Sequence, residues 1–165
     1  MTLTKPMIFM RALAVFAAAT LTLPTVASSA DAPNLFVGTW VLNIAKSTFD
    51  PPPPLKSHTV TVTQVPGGGI HTTLVIGEAD GTNLHVEYTT ALDGKAVPVS
   101  GYPDADSIIV TQVNPRTIKN NFMKAGKTVE TGTFTVSKSG KTMHGPLSGT
   151  EGGVPWKYHY VFDRQ

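Results

Sequence analysis

The chain contains no cysteine among its 165 residues. That excludes a disulfide framework and a cysteine-linked lipid anchor, so burial and strand pairing must hold the fold alone. Also missing is an apolar run of the roughly 20 residues that cross a bilayer. The nearest approach, Ala12 to Leu23, is 12 residues long. Lys5 and Arg11 precede it, Pro24 follows it, and Ser28 and Ala30 supply the small residues of a cleavage point. This pattern predicts a signal peptide over residues 1–30 and a periplasmic or secreted mature protein with no membrane span after cleavage. An excess of basic charge is lacking too. The leader holds two of the 13 basic residues and none of the 11 acidic ones, which leaves residues 31–165 with 11 of each and a net charge of zero. Without a basic stripe to meet phosphates, nucleic acid is excluded as a partner. The 135 residues after the leader suffice for one domain with one core.

Helical periodicity is the last absence. Almost every segment alternates apolar and polar residues with period two, which predicts an all-β chain. Strands are expected at Leu35 to Asn43, Ser57 to Val65, Ile70 to Ile76, Asn83 to Ala91, Ser107 to Val113, Thr117 to Lys124, Thr128 to Ser137, Thr142 to Leu147 and Val154 to Asp163. Between them stand turn formers such as Asp80-Gly81, Asp93-Gly94, Asn114-Pro115, Ala125-Gly126 and Ser139-Gly140. The run from Asp50 through Pro51, Pro52, Pro53 and Pro54 predicts a stiff, polyproline-like crossover between the first two strands. Ala96 to Asp106 is a second long connection, and a short strand at Ala96 to Val99 would bring the count to ten.

Parity separates inside from outside. Val60 and Val62 oppose Thr59, Thr61 and Thr63, while Leu84, Val86 and Tyr88 oppose His85 and Glu87. In the final strand Trp156, Tyr158, Tyr160, Phe162 and Arg164 share one face. A meander with one dry face and no amphipathic helix to cover it is expected to close on itself. The expected fold is a single up-and-down antiparallel β-barrel of eight to ten strands over residues 31–165.

Gly38-Thr39-Trp40 on the first strand, a meander after it and Arg164 near the end of the last strand together resemble the lipocalin-like (calycin-type) barrels. The resemblance is closer to an uncharacterised bacterial secreted lipocalin-like family with an N-terminal GTW-x-LN-x-x-KS-x-F pattern. Gly38 to Phe49 matches that pattern throughout, and Tyr102 to Asp106, Ser139 to Met143 and Val161 to Gln165 resemble its later landmarks. The resemblance implies a barrel in which Trp40 and Arg164 form a structural closure pair at one end. It implies no activity. His144-Gly145-Pro146 departs from the pattern by interrupting an expected strand.

Few residues point to chemistry. Gly126-Lys127-Thr128 and Gly140-Lys141-Thr142 end like phosphate loops but lack the upstream glycine, with Asn121 and Thr135 in its place. His71, His85 and His159 fall on outward faces of separate strands, and His144 lies in the Gly-Pro break, so no metal site is expected. Asp104 and Asp106 lack the spaced oxygens of a calcium loop and suit a turn. No nucleophile, base and orienting acid stand together, so no catalytic residue is named and no cofactor is implied. His58 is different, since parity sets it inward beside the proline crossover, where an imidazole needs a partner. Tyr88, Asn120, Phe122, Tyr158 and Tyr160 also point inward and, with His58, form the candidate ligand-binding set, with Val60 and Leu74 completing the wall. Access is expected past Pro51 to Pro54 and Ala96 to Asp106. The reading is a small apolar or amphipathic ligand held in the barrel. Its rivals are a cell-envelope interaction module with a filled core and, third, a small barrel enzyme using His58 and inner tyrosines. Ligand identity and oligomeric state are not legible.

Overall fold

A computed structural model describes residues 34–53 and 55–165. The signal peptide expected over residues 1–30 lies outside the described residues. Eleven strands follow in order: β1 (Gly38–Leu42), β2 (Thr48–Asp50), β3 (Leu55–Gln64), β4 (Ile70–Glu78), β5 (Asn83–Thr90), β6 (Asp93–Pro98), β7 (Ser107–Asn114), β8 (Thr117–Lys124), β9 (Lys127–Val136), β10 (Thr142–Glu151) and β11 (Val154–Arg164). Among the described residues the single helical element is a 3₁₀ turn at Ile44–Lys46. Among the described residues no helix is long and apolar enough to cross a membrane.

Ten of these strands pair antiparallel in the order β5-β4-β3-β1-β11-β10-β9-β8-β7-β6, while β2 pairs separately with β11. The first and last strands of the chain are therefore neighbours, which closes most of the barrel. The remaining seam lies between β5 and β6, where Glu87 and Ser100 exchange two backbone hydrogen bonds of 3.0 Å. The short strand suspected near Ala96 is real and begins three residues earlier, at Asp93.

Several boundaries differ from expectation. The first strand starts at Gly38, because Leu35 and Phe36 belong to a turn whose amides are held by Asn34: Phe36 N donates to Asn34 Oδ1 at 3.0 Å and Val37 N to Asn34 O at 3.0 Å. The proline crossover is shorter than expected, since β2 continues the line of β1 along β11. From Leu42↔Phe162 to Thr48↔His159 one strand advances six residues and the other three, and the 3₁₀ turn absorbs the surplus. Conserving the strand line around that turn falls to Asn43, Lys46 and Ser47. Asn43 Oδ1 accepts from Lys46 N at 3.1 Å, Asn43 Nδ2 donates to Asp163 Oδ2 at 2.7 Å, and Ser47 Oγ accepts from Val161 N at 3.0 Å. The LN-x-x-KS part of the sequence pattern is thus a clamp that fastens the turn to β11.

At the other end of several strands the chain stays paired longer than expected. β4 runs through Gly77 to Glu78, and β10 runs unbroken through Gly145 and Pro146 to Glu151. Here glycine answers a need for space. A Cβ on Gly149 would lie 2.5 Å from the Trp156 ring and 2.7 Å from Val129 O, so the indole lies flat on its neighbouring strand only because no side chain intervenes.

Candidate functional site

The barrel interior holds two connected lobes. The outer lobe, of about 180 Å³, reaches the end formed by Pro53, Leu55, Asp104 and Trp156. An inner lobe of about 70 Å³ lies deeper, beneath His58, Val60, Thr72, Tyr88 and Asn120. His58, Leu74, Phe122, Glu130 and Leu147 line both. Of the residues singled out from parity, Tyr158 and Tyr160 belong to the outer lobe, Tyr88 and Asn120 to the inner one, and His58 and Phe122 to each.

β11 builds one wall as an aromatic ladder. Trp156 stacks on Tyr158 at 4.5 Å and Tyr158 on Tyr160 at 5.9 Å, and Tyr160 then meets Phe162 edge-on at 5.7 Å. Burial deepens along it, from the partly exposed Trp156 to the buried Phe162. β2 supports the ladder from beside it, with Phe49 edge-on to Tyr158 at 5.4 Å and to Tyr160 at 5.9 Å.

His58 stands just past Val41↔Thr59, the last β1–β3 pair, where β1 gives way to the 3₁₀ turn. Its ring is 6% exposed and packs edge-on against Tyr160 and Phe162, at 5.7 and 5.3 Å. Neither ring nitrogen has a hydrogen-bond partner among the described residues, and burial pulls its pKa from 6.5 down to about 4, so the imidazole is neutral. Asn120 Oδ1, on the same lobe, is buried and equally unpartnered, whereas Thr72 lies opposite Tyr88 and interacts with its hydroxyl. Asn120 fits there because its cross-strand neighbour is Gly132, where a Cβ would come within 2.5 Å of Asn120 Oδ1. Burial also lifts the Tyr88 hydroxyl to about 12.

Two groups of residues escaped the sequence reading. Glu130 on β9 faces the interior and accepts a hydrogen bond of 3.0 Å from the Tyr102 hydroxyl. Burial, with the Asp104 charge adding to it, lifts its carboxyl to about 7, and burial together with Glu130 raises both Tyr102 and Tyr160. Parity carried the signal: Glu130 is in step with Gly132, Phe134 and Val136, the inward positions of its strand. Tyr102 gave none, because it lies in the connection before β7 and gains its place by packing edge-on against Phe122 at 5.1 Å. The second group is the acidic rim of Glu78, Asp104 and Glu151. Glu78 and Glu151 lie on the stretches of β4 and β10 that run beyond their expected ends. Asp106, by contrast, is a turn residue, with Oδ2 accepting from Ala125 N at 2.8 Å.

The opposite end of the barrel is sealed. Trp40 is 0% exposed, its Nε1 donates to Phe36 O at 2.7 Å, and the Arg164 guanidinium carbon lies 4.4 Å from its ring centroid. Trp40 and Arg164 are also direct partners across β1 and β11. The guanidinium donates to Leu35 O and, at 3.1 Å, to Val37 O, which ties the Asn34 turn over the barrel end. Gly38 adopts φ +136°, a conformation open to glycine, where the chain leaves that turn for the strand. Outside the barrel, His144 and His159 stack at 5.8 Å. Among the described residues no three His, Asp or Glu side chains are placed to hold a metal ion.

No protein-family model matches the sequence, and no curated protein does. Solved structures do. A point mutant of the fluorescent protein UnaG matches with a TM-score of 0.51 at 15% identity, over 79% of this chain and 96% of that one. Wild-type UnaG matches with a TM-score of 0.50 at 15% identity, over 79% and 97%. The zebrafish ileal bile acid-binding protein complexed with cholic acid gives 0.47 at 8% identity, over 79% and 99%. At these identities the likeness concerns architecture, and the chain has the fold of the lipocalin-like antiparallel barrels.

Proposed function

We propose that this protein binds a small ligand of largely apolar body inside its barrel and does so in the periplasm or outside the cell. The observation that carries this reading is the inner wall itself: His58 and Asn120 present buried polar atoms without protein partners to a cavity walled mainly by apolar side chains. A buried polar group left unsatisfied costs roughly 1–3 kcal/mol, so two such side chains on one lobe are a standing cost that a ligand's own polar groups would offset. Apolar walls with a few convergent polar groups are the usual form of a small-molecule site. The volume suits a compact ligand, since a cavity of about 150 Å³ already accepts benzene. Titration with a fluorescent apolar probe tests the reading, with Tyr160→Trp, which shrinks the outer lobe, expected to weaken binding. A wild type that takes up no probe, beside a Tyr160→Trp variant of unchanged stability, would show that the interior is not used. Export is tested separately by N-terminal sequencing of the mature protein, expected to begin at Asp31.

A further inference from the structure

The charge pattern of the cavity narrows the class of ligand, on the reading that the barrel binds one. Four carboxylates from four segments, Glu78, Asp104, Glu130 and Glu151, line the outer lobe, and among the described residues no lysine or arginine lines either lobe. Glu130 alone reaches both lobes. The ion pairs found among the described residues, Lys46 with Asp163 and Lys95 with Asp93, lie on the surface and leave the interior acid without a cation. The carboxylates press on one another: Asp104 raises Glu130, and Asp80 and Glu151 raise Glu78, in each case on top of burial. A carboxylate ligand would add a like charge to this set, whereas a cation would relieve it.

An independent observation points the same way. His58 is buried, neutral and unpartnered on both lobes, so one ring nitrogen offers a lone pair to a donor, and Asn120 Oδ1 is a second unpartnered acceptor. These atoms call for a ligand that brings N–H or O–H groups. The surrounding wall of Trp156, Tyr158 and Tyr160 adds aromatic surface, which attracts organic cations through the ring quadrupole.

We propose that the barrel takes an organic ammonium ion, its positive charge against Glu130 among Tyr102, Tyr158 and Tyr160 and its apolar body between Leu74 and Phe122. Three probes of one size test it by calorimetric titration at neutral pH: phenethylamine as the cation, phenethyl alcohol as the neutral analogue and hydrocinnamate as the anion. Phenethylamine should bind about tenfold tighter than the alcohol, with hydrocinnamate weakest. Glu130→Gln should bring the amine down to the affinity of the alcohol, while Glu87→Gln, on the outer face of β5, should change the binding of neither. Thermal melts establish that both variants are folded. If the alcohol or the anion binds the wild type as well as the amine, or if Glu130→Gln keeps the amine's advantage, the cation proposal is overturned and the small-ligand reading stands. If none of the three probes binds, both fall.

Discussion

The two ends of the barrel are built from similar residues put to opposite uses. At the sealed end Trp40, Phe36 and Arg164 satisfy one another: the indole N–H meets Phe36 O, the guanidinium covers the indole, and its own N–H groups meet Leu35 O and Val37 O. At the open end the aromatic ladder continues through Tyr158 to Trp156, but the charges around it, Glu78, Asp104 and Glu151, have no cationic partner in the wall. Between them His58 and Asn120 face the cavity without partners among the described residues. One end uses its polar groups for stability. The other leaves several of them without a protein partner among the described residues.

The largest effect should come from breaking the sealed end. Trp40→Ala is expected to cost about 3–5 kcal/mol, read from urea unfolding, because it removes a fully buried aromatic and leaves a cavity. A loss under about 1 kcal/mol would mean that this end does not anchor the barrel.

Next is the acid–base balance of the interior. Burial lowers His58 from 6.5 to about 4, so between those values the unfolded chain holds the extra proton and stability falls as pH falls. Glu130 has the opposite sign: raised from 4.5 to about 7, chiefly by burial, it keeps its proton in the folded state, and stability falls as pH rises through that window. Each slope is worth up to about 3 kcal/mol, and they oppose one another between 4.5 and 6.5. The wild type should therefore be nearly flat there. Glu130→Gln should lose stability toward acid and His58→Gln toward neutral pH. Parallel pH profiles for the wild type and both variants would remove the basis of this balance.

A finer test of the sealed end is the coupling between Trp40 and Arg164. A double-mutant cycle with Trp40→Ala and Arg164→Ala should return about 0.5–2 kcal/mol of interaction energy, since a guanidinium lies over the ring. Strict additivity would show that the contact adds nothing beyond burial. Smallest of all should be the rim: Glu151→Gln should change the unfolding free energy by no more than about 0.5 kcal/mol, as for other exposed substitutions. A large loss there would erase the contrast between the ends.

Much of this was legible because strand alternation is a local property. Val60, Tyr88, Asn120, Phe122, Tyr158 and Tyr160 were placed inward from parity, and the same rule applied to β9 places Glu130 inward with Gly132 and Phe134. Parity did less well where local signals misled. The strands expected to end at Ile76 and Leu147 run on through Gly77 and Gly149, and Gly149 makes room for Trp156 within its strand. The rim carboxylates Glu78 and Glu151 were lost with those strand ends. Leu35 read as strand because its neighbours are apolar, but the Asn34 cap bends the chain there.

By itself, then, the sequence determined the all-β architecture and most of the inward set, because period-two patterning and turn chemistry act over a few residues, whereas β2 went unread as an eleventh strand. Only the tertiary structure decided which inward residues meet. Tyr102 joins Glu130 across 28 positions, Lys46 joins Asp163 across 117, and Arg164 reaches Leu35 across 129. Barrel closure sets those pairings, and with them the sealed end, the acidic mouth and the unpartnered groups between, because strand order around the barrel is a global property that no local pattern encodes.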